Sequence, residues 1–168
     1  MQRGGAAGGG GFLAIWSDID PAAETDYLHW MSREHAMERL GIPGFLSMRM
    51  FRALDIAERR HFILYELADA RVVDSAAYLA RLNRPSAWSK RIMPQLRNFV
   101  RGGGQVAAAY GTVRGGFVAP IRLDASQAAA TAGAAAAIAV HDRIAQVRVL
   151  ETDAGRTAVQ TTEKGMRT

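Results

Sequence analysis

The chain has 168 residues and a formal net charge of +5, with 19 arginines against two lysines, Lys90 and Lys164. It has no cysteine, which excludes disulfides, thiol nucleophiles and Cys-ligated zinc or iron–sulfur centres. Its 49% hydrophobic content argues against global disorder, and no apolar run is long enough to span a bilayer.

The length fits one large domain or two small, tightly joined ones. The start, 1–11, is rich in Gly and Ala, lacks the apolar core of a signal peptide and reads as a flexible tail. A cytoplasmic location is therefore expected. The arginines are scattered, with no basic stripe interleaved with aromatics and no helix-turn-helix or zinc spacing. A base-composition bias towards Arg codons accounts for them better than a nucleic-acid partner does.

Phe12 to Trp16 reads as a short strand. Asp20 followed by Pro21 is a helix start, a carboxylate cap with proline in the first turn. That helix is predicted to run to Leu40 and stop at Gly41, with Tyr27, Leu28, Met31 and His35 on one side. Phe45 to Arg52 alternates as a strand, with Phe45, Ser47, Arg49 and Phe51 on one face. It is expected to pair with His61 to Leu67 as an antiparallel hairpin. A helix follows over about 73–82, capped by Asp74 or Ser75. A second, irregular helix carries Trp88, Ile92, Met93 and Leu96, with Pro94 interrupting it. Gly102-Gly103-Gly104, beside Arg97, Asn98 and Arg101, reads as a helix stop in preference to a phosphate cradle. Gln105 to Val113 can form a further strand. The order is β-α-β-β-α-β, so the predicted class is α+β, built on a ferredoxin-like unit over 12–113.

The pattern then restarts. Gly115-Gly116-Phe117-Val118-Ala119 echoes Gly10-Gly11-Phe12-Leu13-Ala14, an Ala-rich helix is predicted over about 126–141, and Ile144 to Leu150 alternates as a strand. We read 114–168 as a partial second unit whose polar end, after about Glu151, is poorly ordered or packs across a partner.

Three blocks carry a resemblance. The first is Ile19-Asp20-Pro21, Tyr27, Trp30, Arg33-Glu34-His35, Glu38-Arg39-Leu40 and Pro43-Gly44-Phe45. The second is Tyr78-Leu79, Asn83, Pro85, Trp88, Met93-Pro94 and Arg97 to Arg101. The third is Gln160 to Lys164. Together they resemble an uncharacterised bacterial family of the dimeric α+β barrel superfamily, near the EthD-like group. The resemblance implies two ferredoxin-like sheets closing into a barrel, within one chain or by dimerisation. It also implies chemistry on small aromatic or cyclic compounds without an organic cofactor, such as proton transfer, isomerisation or oxygenation. Some members bind haem, so haem stays open as an alternative.

His35 is the leading acid–base candidate, since its side chain titrates near neutrality. Its competing role is a helix-end histidine that bonds a carbonyl. Glu34 and Glu38, close by on that helix, complete a carboxylate–imidazole group, or else form ordinary spaced ion pairs. No second His-rich element answers this Glu-His-x-x-Glu pattern, so no metal is expected. Arg49 is a candidate for holding a substrate carboxylate or enolate oxygen, with an interface ion pair as its alternative. Tyr65 offers a phenol hydrogen bond. Trp30 joins the substrate-binding candidates, with core or interface packing as its competing role. The expected partners are a small-molecule ligand and a second copy of the chain. A membrane is not expected. The alternative function is a non-catalytic binding or dimerisation module.

Overall fold

The computed structural model describes residues 6–7 and 9–167. Most of the Gly/Ala-rich start therefore lies outside the described residues. Ala6–Ala7 forms a short strand, β1, and β2 covers Gly11–Asp18. The latter is buried almost throughout because it is central: alternate side chains enter the two faces of the sheet and both are covered. Asp20 caps the next turn, its carboxylate accepting from the Ala22 N–H at 2.8 Å, with Pro21 in the first position. The helix then runs through α1, Glu24–Trp30, a π turn, Met31–His35, and α2, Ala36–Leu40. It ends at Gly41, as predicted.

The π turn keeps the end of the helix in line with its start. A wider turn delays the helix phase, so residues four apart, Tyr27, Met31, His35 and Arg39, stay on one buried line, which Trp30 joins within α1, while Leu28 is exposed. Trp30, not Leu28, belongs to the inner side.

β3, Phe45–Arg52, and β4, His61–Leu67, form the predicted hairpin. A bulge between Phe45 and Ser47 breaks the simple alternation. Phe45 turns to the helix-covered face beside Met48 and Met50, whereas Phe51 packs on the other. The face expected to join Phe45, Ser47, Arg49 and Phe51 is thus split. Gly44, at φ 93°, supplies the left-handed residue before β3, and Val72 packs where a Cβ would stand.

Ser75 caps α3, Ala76–Leu82, and Ser86 caps α4, Ala87–Ile92. A 3₁₀ turn at Met93–Gln95 holds Pro94 in its first turn. β5 is longer than predicted, Arg97–Tyr110, and takes in all three glycines. Gly104 is not a helix stop. It pairs opposite Thr152, and a Cβ there would collide with the Glu151 carbonyl oxygen. α5, Ala128–Ile138, is followed by β6, Val147–Thr152, which pairs with the second half of β5. The echo of the first strand at Gly115–Ala119 has no regular structure.

The chain ends in two short helices, α6, Ala154–Thr157, and α7, Thr162–Gly165. This segment packs on its own chain. Asp153 caps α6, Thr161 caps α7, and Asn83 Oδ1 accepts from the Thr162 N–H at 3.0 Å.

The fold is α+β with an antiparallel sheet in the order β1-β5-β2-β4-β3, β6 pairing β5 off that path. Counting β2 to β5 as one to four, the spatial order is 4-1-3-2. The first helix, α3 and α4 cover one face, and the main core lies between them and Leu13, Ile15, Ile63, Tyr65 and Leu67. A smaller cluster on the other face joins Phe12, Ala14 and Phe62 to Trp16, Phe51 and Leu64. The loop after β5 ties across this second face. Arg49 donates to the Gly115 carbonyl at 2.6 Å, Arg114 pairs with Glu66, and Arg122 lies 5.9 Å from the Trp16 ring. Among the described residues, no helix is long and apolar enough to cross a membrane.

Candidate functional site

The inner line of the first helix leads from apolar residues to charge: Tyr27, Trp30 and Met31, then His35, then Arg39. His35 is buried in the π turn, its ring 4.3 Å from that of Trp30. Its Nδ1 has no hydrogen-bond partner. Burial, followed by the positive charges of Arg39, Arg167 and Arg81, holds its pKa well below the ordinary histidine value. The imidazole is therefore neutral at neutral pH.

One turn on, Arg39 is only 2% exposed. Burial opposes its charge, and the Glu163 carboxylate more than offsets that opposition. Both Glu163 oxygens accept from Arg39 Nη2 at 2.6 Å, and Arg167 Nη2 donates to the same carboxylate at 3.2 Å. Glu163 is itself fully buried. Arg39 Nη1, Arg167 Nε and the Tyr65 hydroxyl are buried without partners. Tyr78 stands alongside, its hydroxyl accepting from Arg101 at 3.3 Å and its ring 5.7 Å from both the Arg39 and the Arg101 guanidinium carbons.

Two small cavities meet at His35. The polar one, about 20 Å³, is bounded by His35, Arg39, Tyr65, Tyr78, Glu163 and Arg167. Its volume suits one water molecule. The other, about 30 Å³, is apolar and reaches Trp30, Met31, Ile63, Met93 and Phe99.

The predicted site residues divide into groups. His35, Tyr65 and Trp30 come together on the helix-covered face. The Trp30 indole N–H is already engaged, donating to Ser89 Oγ at 3.2 Å. Glu34 accepts from the Ser86 hydroxyl, and Glu38 pairs with Arg81; neither bonds to His35. A carboxylate–imidazole group is therefore not formed. Arg49 lies across the sheet, 4.6 Å from the Phe51 ring, and does not share a site with His35. Its separation follows from the period of two along β3, which sends Arg49 outward and its neighbours Met48 and Met50 inward.

The groups beside His35 that sequence reasoning passed over are Arg39, Tyr78, Glu163 and Arg167. A signal for Arg39 was present: it continues the four-residue spacing Tyr27, Met31, His35, and a charge on a buried line requires a counter-ion from elsewhere. Nothing local marks Glu163 as that counter-ion. A second buried histidine, His61, sits with its ring 5.1 Å from Tyr27 and its Nε2 3.1 Å from Glu24 Oε1. That approach lacks the alignment of a hydrogen bond. Burial lowers the His61 pKa as well. Among the described residues, no group of three or more acidic or histidine side chains is arranged to hold a metal ion.

Comparison with protein-family models, with curated proteins and with solved structures finds no match.

Proposed function

We propose that this chain is a small-molecule enzyme of the dimeric α+β barrel kind, working without an organic cofactor, with His35 as its acid–base group. The sheet order 4-1-3-2 with split strand–helix–strand connections supports the ferredoxin-like reading. The observation that carries the chemistry is a buried, neutral imidazole with an unpartnered Nδ1, on a residue that borders a polar cavity. Such a group accepts a proton from a substrate C–H or O–H held against it. In this scheme Arg39 holds the developing oxyanion, the role the sequence suggested for Arg49, and the Tyr65 hydroxyl donates a second hydrogen bond. The test is turnover across a panel of small cyclic and aromatic compounds. For any compound converted, His35→Gln is expected to lower kcat by about 10²–10⁴-fold. Equal turnover by the variant would remove His35 from the chemistry.

The proposal includes a homodimer. Val113, Phe117, Ile121 and Leu123 are exposed on the loop that crosses the second sheet face, Phe117 at 86%. A monomer leaves this apolar strap in water. A second copy packed against that face covers it with two-fold symmetry. Light scattering at micromolar concentration is expected to give twice the chain mass, and a monomer would count against the barrel.

One observation favours the non-catalytic alternative: Glu163 and Arg167 fill the polar site, leaving little free volume. A His35→Gln protein that loses stability, from a parent that binds no compound of the panel, would favour that reading.

A further inference from the structure

We infer that the Arg39 cavity is a binding site for an organic monocarboxylate, and that Glu163 of the chain's own α7 stands in that carboxylate's place. The inference deepens the acid–base proposal and rests on the same cavity.

The first support is charge. Among the described residues, Arg39, Arg101 and Arg167 line the cavity and Arg81 stands nearby, against two carboxylates, Glu38 and Glu163. Glu38 is taken by Arg81. If α7 lifts, it carries away Glu163 and Arg167. Arg39 and Arg101 are then left facing the vacated space with no counter-ion, and an anion is what such a space accepts.

The second support is the way Glu163 fits. Both of its oxygens crowd onto a single nitrogen, Arg39 Nη2. Arg39 Nη1 and the Tyr65 hydroxyl, on two residues that line the cavity, remain buried and unpartnered. A free carboxylate is not tethered to a helix. It can lie end-on across both terminal nitrogens of the guanidinium and accept from Tyr65 as well. Glu163 is thus an incomplete occupant of a site with more donors than it uses.

The third support is how α7 is held. Its fastenings to the rest of the chain are mostly polar: Asn83 to Thr162, Arg39 to Glu163, and the Arg167 guanidinium 4.5 Å from the Phe99 ring. Among the described residues of this end of the chain, Met166 is the one hydrophobic residue that packs against the main core. With so little apolar anchorage, what holds α7 down is chiefly the Arg39–Glu163 pair itself, and an incoming carboxylate replaces that pair.

The adjoining cavity sets the rest of the ligand. It shares His35, Ile15 and Arg167 with the polar one and is walled by Trp30, Met31 and Phe99. A carboxylate at Arg39 would therefore carry an apolar or aromatic body past the imidazole.

Sodium benzoate is the probe, with benzyl alcohol as its neutral counterpart. Titration calorimetry on the full chain compares wild type with Glu163→Gln, which removes the competing charge. The expected result is benzoate binding that tightens by about tenfold or more in the variant, with no gain for benzyl alcohol. Where Glu163→Gln fails to fold alone, folding restored by millimolar benzoate and not by benzyl alcohol is the expected result. In wild type, benzoate should accelerate hydrogen exchange at the amides of residues 162–167. Benzoate affinity equal in the two proteins, an equal gain for benzyl alcohol, a variant that benzoate does not restore, or unchanged exchange would each overturn the inference. A benzoate response without His35-dependent turnover removes only the acid–base reading. His35-dependent turnover without a benzoate response removes only this one.

Discussion

Glu163→Gln is expected to lower the free energy of unfolding by about 3–5 kcal/mol in the absence of ligand, the usual cost of breaking a buried ion pair from one side. The residue left behind is Arg39. It is fixed on the inner line of the first helix, so its charge cannot reach water without moving the helix. Arg39→Met is expected to cost less, about 1–2 kcal/mol, because the stranded Glu163 sits on a short, polar-fastened segment that can swing out and rehydrate. The order of the two losses is the informative part. Urea unfolding of both single variants and of the double variant measures it, and contact across the pair predicts strong non-additivity. Equal losses, or a larger loss for Arg39→Met, would mean that α7 is fixed as firmly as the helix beneath it. The displaceable carboxylate would then lose its physical basis.

This pair also marks the limit of what the sequence could reveal. The hairpin, the Asp20-Pro21 helix start and the stop at Gly41 are written locally, in caps and alternation, and all three stand in the structure. Three features are not written locally. The π turn at Met31–His35 keeps His35 and Arg39 on the buried line of Tyr27 and Met31. The bulge before Ser47 moves Phe45 to the helix-covered face. The strand through Gly102–Gly104 exists because β2 and β6 pair with it along its length, whatever the weak strand preference of glycine.

The candidate site was legible to the same degree. His35 was readable from helical spacing, since a histidine in line with Tyr27 and Met31 faces whatever they face. Tyr65 was readable from alternation along its strand. Glu163 was not, because a carboxylate 124 positions away becomes a partner only when the chain folds. Polar composition after Glu151 suggests a solvated tail. What overrides it is the cost of leaving Arg39 buried and unpaired.

The neutral state of His35 has a consequence for stability, and its sign is fixed. Its pKa in the folded protein is depressed from the ordinary 6.5, so below that value the unfolded chain binds a proton that the folded chain refuses. Its contribution is complete above about pH 6.5 and is lost as the pH falls towards the folded value. His61 is depressed in the same direction and adds to the loss. The carboxylates held low, Asp18, Glu66 and Asp69, take effect only further down, as the pH approaches their ordinary values of 3.8, 4.5 and 3.8. The window from about pH 6.5 to about pH 5 therefore isolates the two histidines, each contributing a slope of up to about 1.4 kcal/mol per pH unit. Wild-type stability from urea unfolding should be flat above this window and fall within it. His35→Gln should remove the larger part of the slope, leaving the share due to His61, whose depression Glu24 opposes. A wild-type curve that stays flat to about pH 5 would mean that His35 accepts a proton in the folded state without penalty. Burial and the surrounding guanidinium charges would then not be governing it, and an imidazole waiting neutral for a substrate proton would lose its support.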